Sequence, residues 1–274
     1  MYKKTIALIL ATGLISCSAP EHVSVSGSTT VLPTVSKAAD AYRVKTGQVI
    51  IVNAGGSGAG FNQLAEGQTD IGMMSRDITP SELDKFQNIN FEVVAIGTDA
   101  VVPVVSSEIY DAGVTSLTLA QIASIYKGEI ENWSSLGGPD QDILVIDKEA
   151  SSGTRHIFME YIFGDKFALA KGADLVLGAN NEEQTALTQS DSAIGMLSHA
   201  WMNSDVIGVA LNDGTIKIEP TLDNIRSGKF PITRDLNLII RTDISPKAKA
   251  FVDYILSPEG QNFVAESGYV KNTQ

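Results

Sequence analysis

The chain has 274 residues and a net charge of −12, with 32 acidic and 20 basic side chains. Because the basic residues are spread thinly, this acidity argues against a nucleic-acid-binding protein and against attraction of anions over long distances. An anion site in this chain must therefore consist of local hydrogen-bond donors. Cys17 is the only cysteine, which excludes an internal disulfide, and His22, His156 and His199 are too scattered to indicate a zinc site.

The N-terminal segment is typical of a secretory signal. Two lysines precede an apolar stretch over residues 5–15, which is shorter than the roughly 20 residues that a membrane-spanning helix requires. The letters LISC at 14–17 resemble the bacterial lipobox, whose cysteine becomes the lipidated first residue. We therefore predict a lipoprotein signal peptide over residues 1–16 and an anchor at Cys17, with ordinary cleavage after Ala19 as the alternative. The mature protein is then expected in the periplasm or at the cell surface, attached to the membrane by this lipid alone.

The remainder, about 258 residues, is longer than one typical domain core and predicts two lobes. Short β-branched runs alternate along it with amphipathic stretches. In chain order, the predicted strands are VSVSG, QVIIVNAGG, TDIGMMS, FEVVAIG, AVVPVVS, DILVID, SAIGMLS and DLNLIIRT. The predicted helices are LPTVSKAADAYRVKTG, GAGFNQLAEGQ, SELDKFQ, TLAQIASIYKG, GTRHIFMEYIFG and KAKAFVDYILSPEGQNFVAESG, with stops at Gly47 and Gly128. The alternation predicts an α/β fold of parallel sheets flanked by helices, with ligands bound at loops beyond the strand ends.

Four loops at the ends of predicted strands share small hydroxyl residues, and three of them contain glycine. They are Gly27-Ser28-Thr29-Thr30, Gly55-Gly56-Ser57-Gly58, Met74-Ser75-Arg76 and Ala150-Ser151-Ser152-Gly153-Thr154-Arg155. Glycine permits close backbone approach, free N–H groups at a helix start favour an anion, and hydroxyls donate further hydrogen bonds. One such loop is usually only a helix cap. Four in one chain predict a cage of donors around a tetrahedral oxyanion, provided that the loops converge.

Other interpretations of these motifs are weaker. The sequence GGSGAG lacks the Gly-Lys-Ser/Thr ending of a P-loop. A hydrolase or phosphatase would use Ser151 or Ser152 with His156 as the base. No G-x-S-x-G motif accompanies these serines, and His156 is predicted to lie inside the helix that they cap. The acidic pair Glu182-Glu183 is predicted to be solvated surface.

The four loops, in this order, resemble those of the high-affinity phosphate-binding proteins of bacterial ABC transporters. The resemblance covers nearly the whole mature chain through SGSTTVLP, GGSGAGFNQLAEGQTDIGMMSR, QIASIYKGEIENWSSLGG, DKEASSGTR and PTLDNIRSGKFPITRDLNLII. It implies the two-lobed periplasmic-binding-protein fold, type II-like, with each lobe a sheet flanked by helices and the ligand in the cleft. The boundaries that we predict are 23–98 with 235–274 for lobe I and 99–234 for lobe II.

The resemblance also implies which residues contact the ligand. The implied donors are Thr29, Thr30, Ser57, Ser75, Ser152, Gly153 and Thr154. Lys148 stands where the family often has an arginine that pairs with phosphate, and lysine keeps the charge but lacks the bidentate fork. Arg76 stands where some members have an aspartate that accepts a hydrogen bond from protonated phosphate. We expect Arg76 either to contact the anion or to pair with an acidic neighbour, and Asp77 is the alternative acceptor.

The implied function is high-affinity binding of inorganic phosphate by a monomer, followed by delivery to the permease of an ABC transporter. It implies no catalysis, cofactor, metal or nucleic acid. The residues alone leave two alternatives open. A donor cage also suits another oxyanion such as sulfate or molybdate. A surface adhesin or a sensor on the same scaffold would not require the four loops to converge.

Overall fold

The computed structural model describes residues 22–272, so the predicted signal peptide over 1–16 and the lipid anchor at Cys17 lie outside the described residues. The α-helices are α1 (Leu32–Thr46), α2 (Gly56–Ala65), α3 (Pro80–Lys85), α4 (Ser107–Asp111), α5 (Leu119–Lys127), α6 (Gly153–Phe163), α7 (Asn180–Thr188), α8 (Leu222–Arg226), α9 (Pro246–Leu256) and α10 (Pro258–Glu266). Short 3-10 helices span Trp133–Leu136 and His199–Trp201. Within residues 22–272, no helix has both the length and the apolar character needed to cross a bilayer.

The strands lie between these helices. They are β1 (Val23–Gly27), β2 (Ile50–Ala54), β3 (Ile71–Met74), β4 (Phe91–Ser106), β5 (Ser116–Leu117), β6 (Leu144–Lys148), β7 (Leu175–Leu177), β8 (Ala193–Ser198), β9 (Val206–Gly208), β10 (Ala210–Asn212), β11 (Lys217–Ile218), β12 (Thr233–Arg241) and β13 (Val270–Lys271). The main sheet has the strand order β2-β1-β3-β12-β4-β8-β6-β7, with β9 and β13 also paired to β4. A small separate sheet contains β11, β10 and β5.

Local sequence sets the ends of several helices. α1 has proline in its first turn and ends at Gly47, which adopts a left-handed conformation with φ of 76°. α5 begins with a capping box between Thr118 and Gln121 and ends at Gly128, which is also left-handed. Both predicted helix stops are confirmed.

The sheet is parallel only toward its two sides. β1 is parallel to β2 and β3, and β6 is parallel to β7 and β8, as the alternation of strands and helices predicts. The centre differs from the prediction. β12 runs antiparallel to β3 and β4, and β4 runs antiparallel to β8. These pairs join strands that are distant in the chain, so the rule that a crossover helix makes consecutive strands parallel does not apply to them.

β4 is one continuous strand of 16 residues, so the prediction of two strands, FEVVAIG and AVVPVVS, is wrong. The two residues between the predicted strands, Thr98 and Asp99, pair with Asp235 and Arg234 of β12. Residues 91–100 of β4 pair with β12, and residues 101–105 pair with β8. The strand therefore passes from one half of the molecule to the other.

The buried apolar side chains form two main clusters. One takes its buried members from residues 100–232 and includes Trp133. The other takes them from residues 23–96 and 236–269, and a smaller cluster beside it contains Phe61 of α2. The chain passes between the two main clusters at the centre of β4 and at the start of β12.

Helix α2 packs against the ends of β1 and β3 through glycine. A Cβ atom on Gly60 would lie 2.6 Å from the Cα of Gly27 and 2.7 Å from the carbonyl oxygen of Ser26. The N–H of Gly55 donates to the carbonyl oxygen of Gly27 at 2.9 Å. The first turn of α2, which carries Ser57, is thereby held against the loop that follows β1.

We expect Gly60→Ala to lower the free energy of unfolding by about 1–3 kcal/mol, because the added methyl group has no space. Helix propensity alone predicts the opposite sign, since alanine stabilises a helix interior by about 1 kcal/mol relative to glycine. The control is Asn62→Ala on the same helix, which should change the free energy of unfolding by less than about 0.5 kcal/mol. Urea denaturation measures both, and a Gly60→Ala protein as stable as the unmodified one would contradict this packing.

Candidate functional site

The first hydroxyl loop lies between β1 and α1 and is buried. Its backbone is held by the N–H of Ser28, which donates to the Met73 carbonyl oxygen at 2.8 Å. The phenol of Tyr269 donates to the carbonyl oxygen of Thr30 at 2.6 Å. Burial raises the pKa of Tyr269, so this phenol keeps its proton at neutral pH and remains a donor. These bonds fix the loop backbone, and the hydroxyl groups of Thr29 and Thr30 are oriented by other contacts.

The second and third loops meet the first loop at Ser75. Ser28 Oγ donates to Ser75 Oγ at 2.9 Å, and Ser57 Oγ lies 3.3 Å from Ser75 Oγ. The N–H of Ser75 donates to Ser57 Oγ at 3.1 Å. These loops follow β1, β2 and β3, which are neighbours in the sheet. Their hydroxyl groups therefore meet at one edge of that sheet.

The fourth loop reaches the same place from the other half of the molecule. The N–H of Gly58 donates to the carbonyl oxygen of Ser151 at 3.2 Å. A Cβ atom on Gly153 would lie 2.5 Å from Ser57 Oγ and 2.6 Å from Ser75 Oγ. Only glycine permits an approach this close, so the fourth loop packs directly on the second and third loops.

A guanidinium that the sequence analysis did not single out joins these loops. Arg234 of β12 donates from Nη1 to Thr154 Oγ1 at 2.9 Å and to Ser75 Oγ at 3.3 Å. It donates from Nη2 to Thr30 Oγ1 at 3.1 Å. Its Nε and Nη2 also donate to Asp99 Oδ2, at 3.1 and 2.8 Å. We call the hydroxyl groups of Ser28, Thr30, Ser57, Ser75 and Thr154 the hydroxyl cluster.

Arg234 and Asp99 form a buried ion pair, with 5% and 1% of their surfaces exposed. Ser198 Oγ donates to the second Asp99 oxygen at 2.9 Å, so both carboxylate oxygens have partners. The hydroxyl oxygens of Thr30 and Thr154 accept from the guanidinium, and each hydroxyl group still has one proton to donate. Because the oxygens face N–H donors, these protons point away from the guanidinium. The pair thus orients hydroxyl groups as donors suited to an anion.

The alternation of buried and exposed residues at the start of β12 is the sequence signal that could have identified Arg234. Arg234 lies on the same buried face as Leu236 and Leu238, whereas Asp235 is exposed. The predicted strand, DLNLIIRT, begins at Asp235, one residue too late to include the arginine. Extending it by one residue would have put a cation at a core position, which is a strong indication of a functional or paired charge.

Helix α7, which the sequence analysis missed, also contacts the first loop. Asn180 begins this helix; its N–H donates to Thr29 Oγ1 at 3.3 Å and its Nδ2 donates to Thr30 Oγ1 at 3.0 Å. α7 buries Asn180, Glu183 and Leu187, two of which are polar. Its sequence therefore lacks the apolar stripe by which a helix is usually found.

The prediction that Glu183 is solvated surface is wrong. Glu183 is fully buried, and its Oε2 lies 2.5 Å from Nζ of Lys148, which is 1% exposed. Its Oε1 accepts from the N–H of Met196 at 2.6 Å. Burial raises the pKa of Glu183, and the neighbouring ammonium of Lys148 opposes this rise. The ion pair attaches α7 to β6, the strand that leads into the fourth loop.

Arg76 pairs with an acidic neighbour, the second of its two expected roles. Its Nη1 and Nη2 donate to the two carboxylate oxygens of Glu82 at 2.8 and 2.7 Å. Burial opposes ionisation of Glu82, but hydrogen bonds from Arg76 and Thr79 hold the pKa of that carboxyl below its usual value. Arg76 and Lys148 therefore each have a carboxylate partner, and their contact with a ligand stays a prediction.

The geometry around His156 does not match a serine–histidine pair. Nε2 of His156 lies 2.8 Å from the carbonyl oxygen of Ala150, and Nδ1 has no hydrogen-bond partner among the described residues. Burial, together with the charge of Arg76, lowers the pKa of His156 to about 4. Ser152 Oγ accepts from the N–H of Arg155 at 3.4 Å and caps α6. Across residues 22–272, no three His, Cys, Asp or Glu side chains are grouped as metal ligands.

Comparison with known proteins shows the family to which this chain belongs. A family model described as a PBP superfamily domain matches residues 16–259. This chain belongs to the PBP superfamily. The phosphate-binding protein PstS of Bacillus subtilis is 30% identical over 256 residues, which cover 92% of this chain and 81% of that protein. PstS of Borreliella burgdorferi is 30% identical over 284 residues, covering 98% of each chain. Within the superfamily, the chain therefore belongs to the PstS family, and the predicted two-lobed α/β class of fold is confirmed.

Solved structures of PBP proteins give the same fold. A putative phosphate ABC transporter substrate-binding protein from Clostridium perfringens, solved with bound phosphate, is 31% identical with a TM-score of 0.83. The match covers 92% of this chain and 100% of that one. An ABC-type phosphate transport receptor from Vibrio cholerae is 30% identical with a TM-score of 0.72, and the match covers 92% of this chain and 100% of that one.

In this PBP protein we expect Glu183→Gln to lower the free energy of unfolding by about 3–5 kcal/mol, because it leaves the Lys148 ammonium buried without a counter-charge. Glutamine keeps an oxygen that accepts from Met196, so the variant removes charge more than hydrogen bonding. Lys148→Met combined with Glu183→Gln should recover most of the loss, because no buried charge then remains unpaired. Urea denaturation of the three proteins checks this, and a double variant less stable than Glu183→Gln would contradict it.

Proposed function

We propose that this protein binds inorganic phosphate between its two halves and delivers it to the permease of an ABC transporter. The observation that carries the proposal is the convergence of hydroxyl groups from four loops on the buried pair of Arg234 and Asp99. The PstS relatives are named for phosphate binding, and the Clostridium perfringens structure holds bound phosphate. The protein acts by binding and release, without turnover.

The site offers donors that match a tetrahedral oxyanion. The proposed contacts are the predicted Thr29, Thr30, Ser57, Ser75, Ser152, Gly153 and Thr154. A hydrogen bond to a charged acceptor contributes roughly 1.5–3 kcal/mol, so a few such bonds in a buried site suffice for micromolar affinity. The guanidinium of Arg234 is bonded to Asp99 and to the hydroxyl groups, so its role is to orient these donors toward the anion. Arg76 and Lys148 also hold the third loop and the strand before the fourth loop through their ion pairs, and their own contact with the anion stays a prediction.

We propose that the two apolar clusters are the cores of two lobes, with the boundaries 23–98 plus 235–274 and 99–234. The support is that the buried members of each cluster all fall within one of these sets. The lobes close by a hinge at the centre of β4 and the start of β12, the two places where the chain crosses. The contact between Gly58 and Ser151 joins the lobes and belongs to the closed arrangement.

The same proposal places the mature protein outside the cytoplasmic membrane, in the periplasm or at the cell surface. The predicted signal peptide over 1–16 supports export, and lipidation of Cys17 would keep the monomer near its permease. Anchoring suits this task, because a tethered binding protein meets the membrane transporter at a high local concentration.

One observation favours a second ligand, a fully deprotonated oxyanion such as sulfate or molybdate. Both oxygens of Asp99 already accept hydrogen bonds, from Arg234 and Ser198. Arg76 occupies the position at which some members of the family carry an aspartate as hydrogen-bond acceptor. A site that offers only donors does not require a proton on its ligand, so it discriminates less between phosphate and sulfate.

Titration calorimetry with phosphate, sulfate and molybdate tests the proposal. We expect one phosphate per chain with a micromolar or lower dissociation constant. Thr154→Val should weaken this binding by about 10- to 150-fold, because it removes one hydrogen bond to a charged acceptor. Thr242→Val, at an exposed position, is the matched control and should leave it unchanged. Tighter binding of sulfate or molybdate would identify that anion, and not phosphate, as the ligand. Failure of all three anions to bind would contradict the proposed function.

A further inference from the structure

Asn180 makes contacts between the two halves of the molecule that the proposed ligand contacts do not account for. It belongs to α7, which packs with the cluster of residues 100–232, and it is 1% exposed. Its two donors reach Thr29 and Thr30, in the loop after β1, which belongs to the other half. These bonds exist only when the two halves are together.

The position of Asn180 is determined by its own half. Glu183, one turn later in α7, is ion-paired with Lys148 of β6 and accepts from the N–H of Met196 of β8. Leu187, one turn further, is fully buried, and its carbonyl oxygen accepts from Ser106 Oγ at 3.1 Å. Helix α7 is therefore attached to β4, β6 and β8. If the halves separate, Asn180 stays with its own half and therefore moves away from Thr30.

The bond from Asn180 affects the orientation of the hydroxyl group of Thr30. Its oxygen accepts from Nδ2 of Asn180 at 3.0 Å and from Nη2 of Arg234 at 3.1 Å. A hydroxyl oxygen has two lone pairs and one proton, so two N–H donors occupy both acceptor positions. The proton of Thr30 then points away from both donors, toward the remaining tetrahedral direction. Without Asn180, one lone pair is open and the hydroxyl group is free to rotate.

We propose that Asn180 is a positioning residue that makes retention of the anion depend on closure. On closing, its amide occupies the second lone pair of Thr30 and commits the hydroxyl proton of Thr30 to the bound anion. This inference rests on the proposed function, because the anion is the phosphate proposed above. Asn180 acts through Thr30 and does not itself touch the anion.

The mechanism predicts a kinetic signature. Encounter with phosphate occurs before the halves close, so loss of the amide leaves the association rate constant unchanged within about twofold. The bond from Asn180 to Thr30 forms on closure, so its loss appears in the dissociation rate constant. One hydrogen bond contributes about 0.5–1.5 kcal/mol, which corresponds to an increase of about two- to tenfold in that constant.

Stopped-flow measurement of phosphate binding and release by the whole protein tests the proposal. Asn180→Ala removes the side-chain amide and keeps the backbone N–H that donates to Thr29. It should raise the dissociation rate constant by about two- to tenfold. Asn181→Ala, one residue later and exposed, is the matched control and should change neither rate constant. In a protein that already carries Thr30→Val, Asn180→Ala should not raise the dissociation rate constant further.

The variant Asn180→Asp distinguishes a role of Asn180 in positioning Thr30 from a role in folding alone. Aspartate at the start of a helix stabilises the helix, so a purely structural role predicts an unchanged or improved protein. We expect instead a larger increase in dissociation than with alanine, because a carboxylate beside Thr30 competes with phosphate for the hydroxyl proton. Thermal denaturation confirms that each variant folds.

The outcomes distinguish this inference from the proposed function. If the unmodified protein does not bind phosphate, both fail. If it binds phosphate and Asn180→Ala releases it at the same rate, only the inference fails. An Asn180→Ala effect of equal size with Thr30 and with Val at position 30 would also overturn it, because Asn180 would then act without Thr30.

Discussion

The buried ion pair between Arg234 and Asp99 is the interaction on which the site depends. A guanidinium removed from water costs several kcal/mol unless a counter-charge and hydrogen bonds compensate for it. Asp99 supplies the counter-charge, and the hydroxyl cluster supplies acceptors for the remaining N–H groups. The two residues face each other on β4 and β12, where the chain passes between the two apolar clusters. The same pair therefore joins the proposed hinge to the proposed ligand site.

The charge arrangement explains how an acidic chain can hold an anion. The net charge of −12 repels an anion at a distance, but this repulsion is screened over about 10 Å at moderate salt. Near the site, the buried cations Arg234, Arg76 and Lys148 each have a carboxylate partner. Attraction at close range therefore comes mainly from oriented hydroxyl and N–H dipoles. Such donors act at hydrogen-bond distance and discriminate by geometry more than by total charge.

Much of the fold and part of the site follow from local sequence. The hydroxyl loops were recognised because small hydroxyl residues and glycine stand together at strand ends, and Gly47 and Gly128 mark helix ends by the same local logic. The residues that sequence reasoning missed depend on distant partners. Arg234 meets Thr30 across 204 residues of chain, and no local pattern encodes that distance.

Two errors have a shared cause, which is polarity at buried positions. Glu183 and Asn180 occupy the inner face of α7, where an apolar stripe is normally the signal, so the helix was missed and Glu183 was assigned to the surface. Asp99 lies inside β4, at the point where the sequence analysis separates two predicted strands. In each case a buried polar residue has a specific partner from another element, and that partner belongs to the site or supports it.

A crystal structure of the protein with phosphate tests the central claim most directly. We predict one tetrahedral anion at the hydroxyl cluster, with its oxygens within hydrogen-bond distance of the hydroxyl groups of Thr30, Ser75 and Thr154, on the side of these groups that faces away from Arg234. Asp99 should remain paired with the guanidinium of Arg234. An anion bound elsewhere, without contact to these hydroxyl groups, would contradict the proposed site.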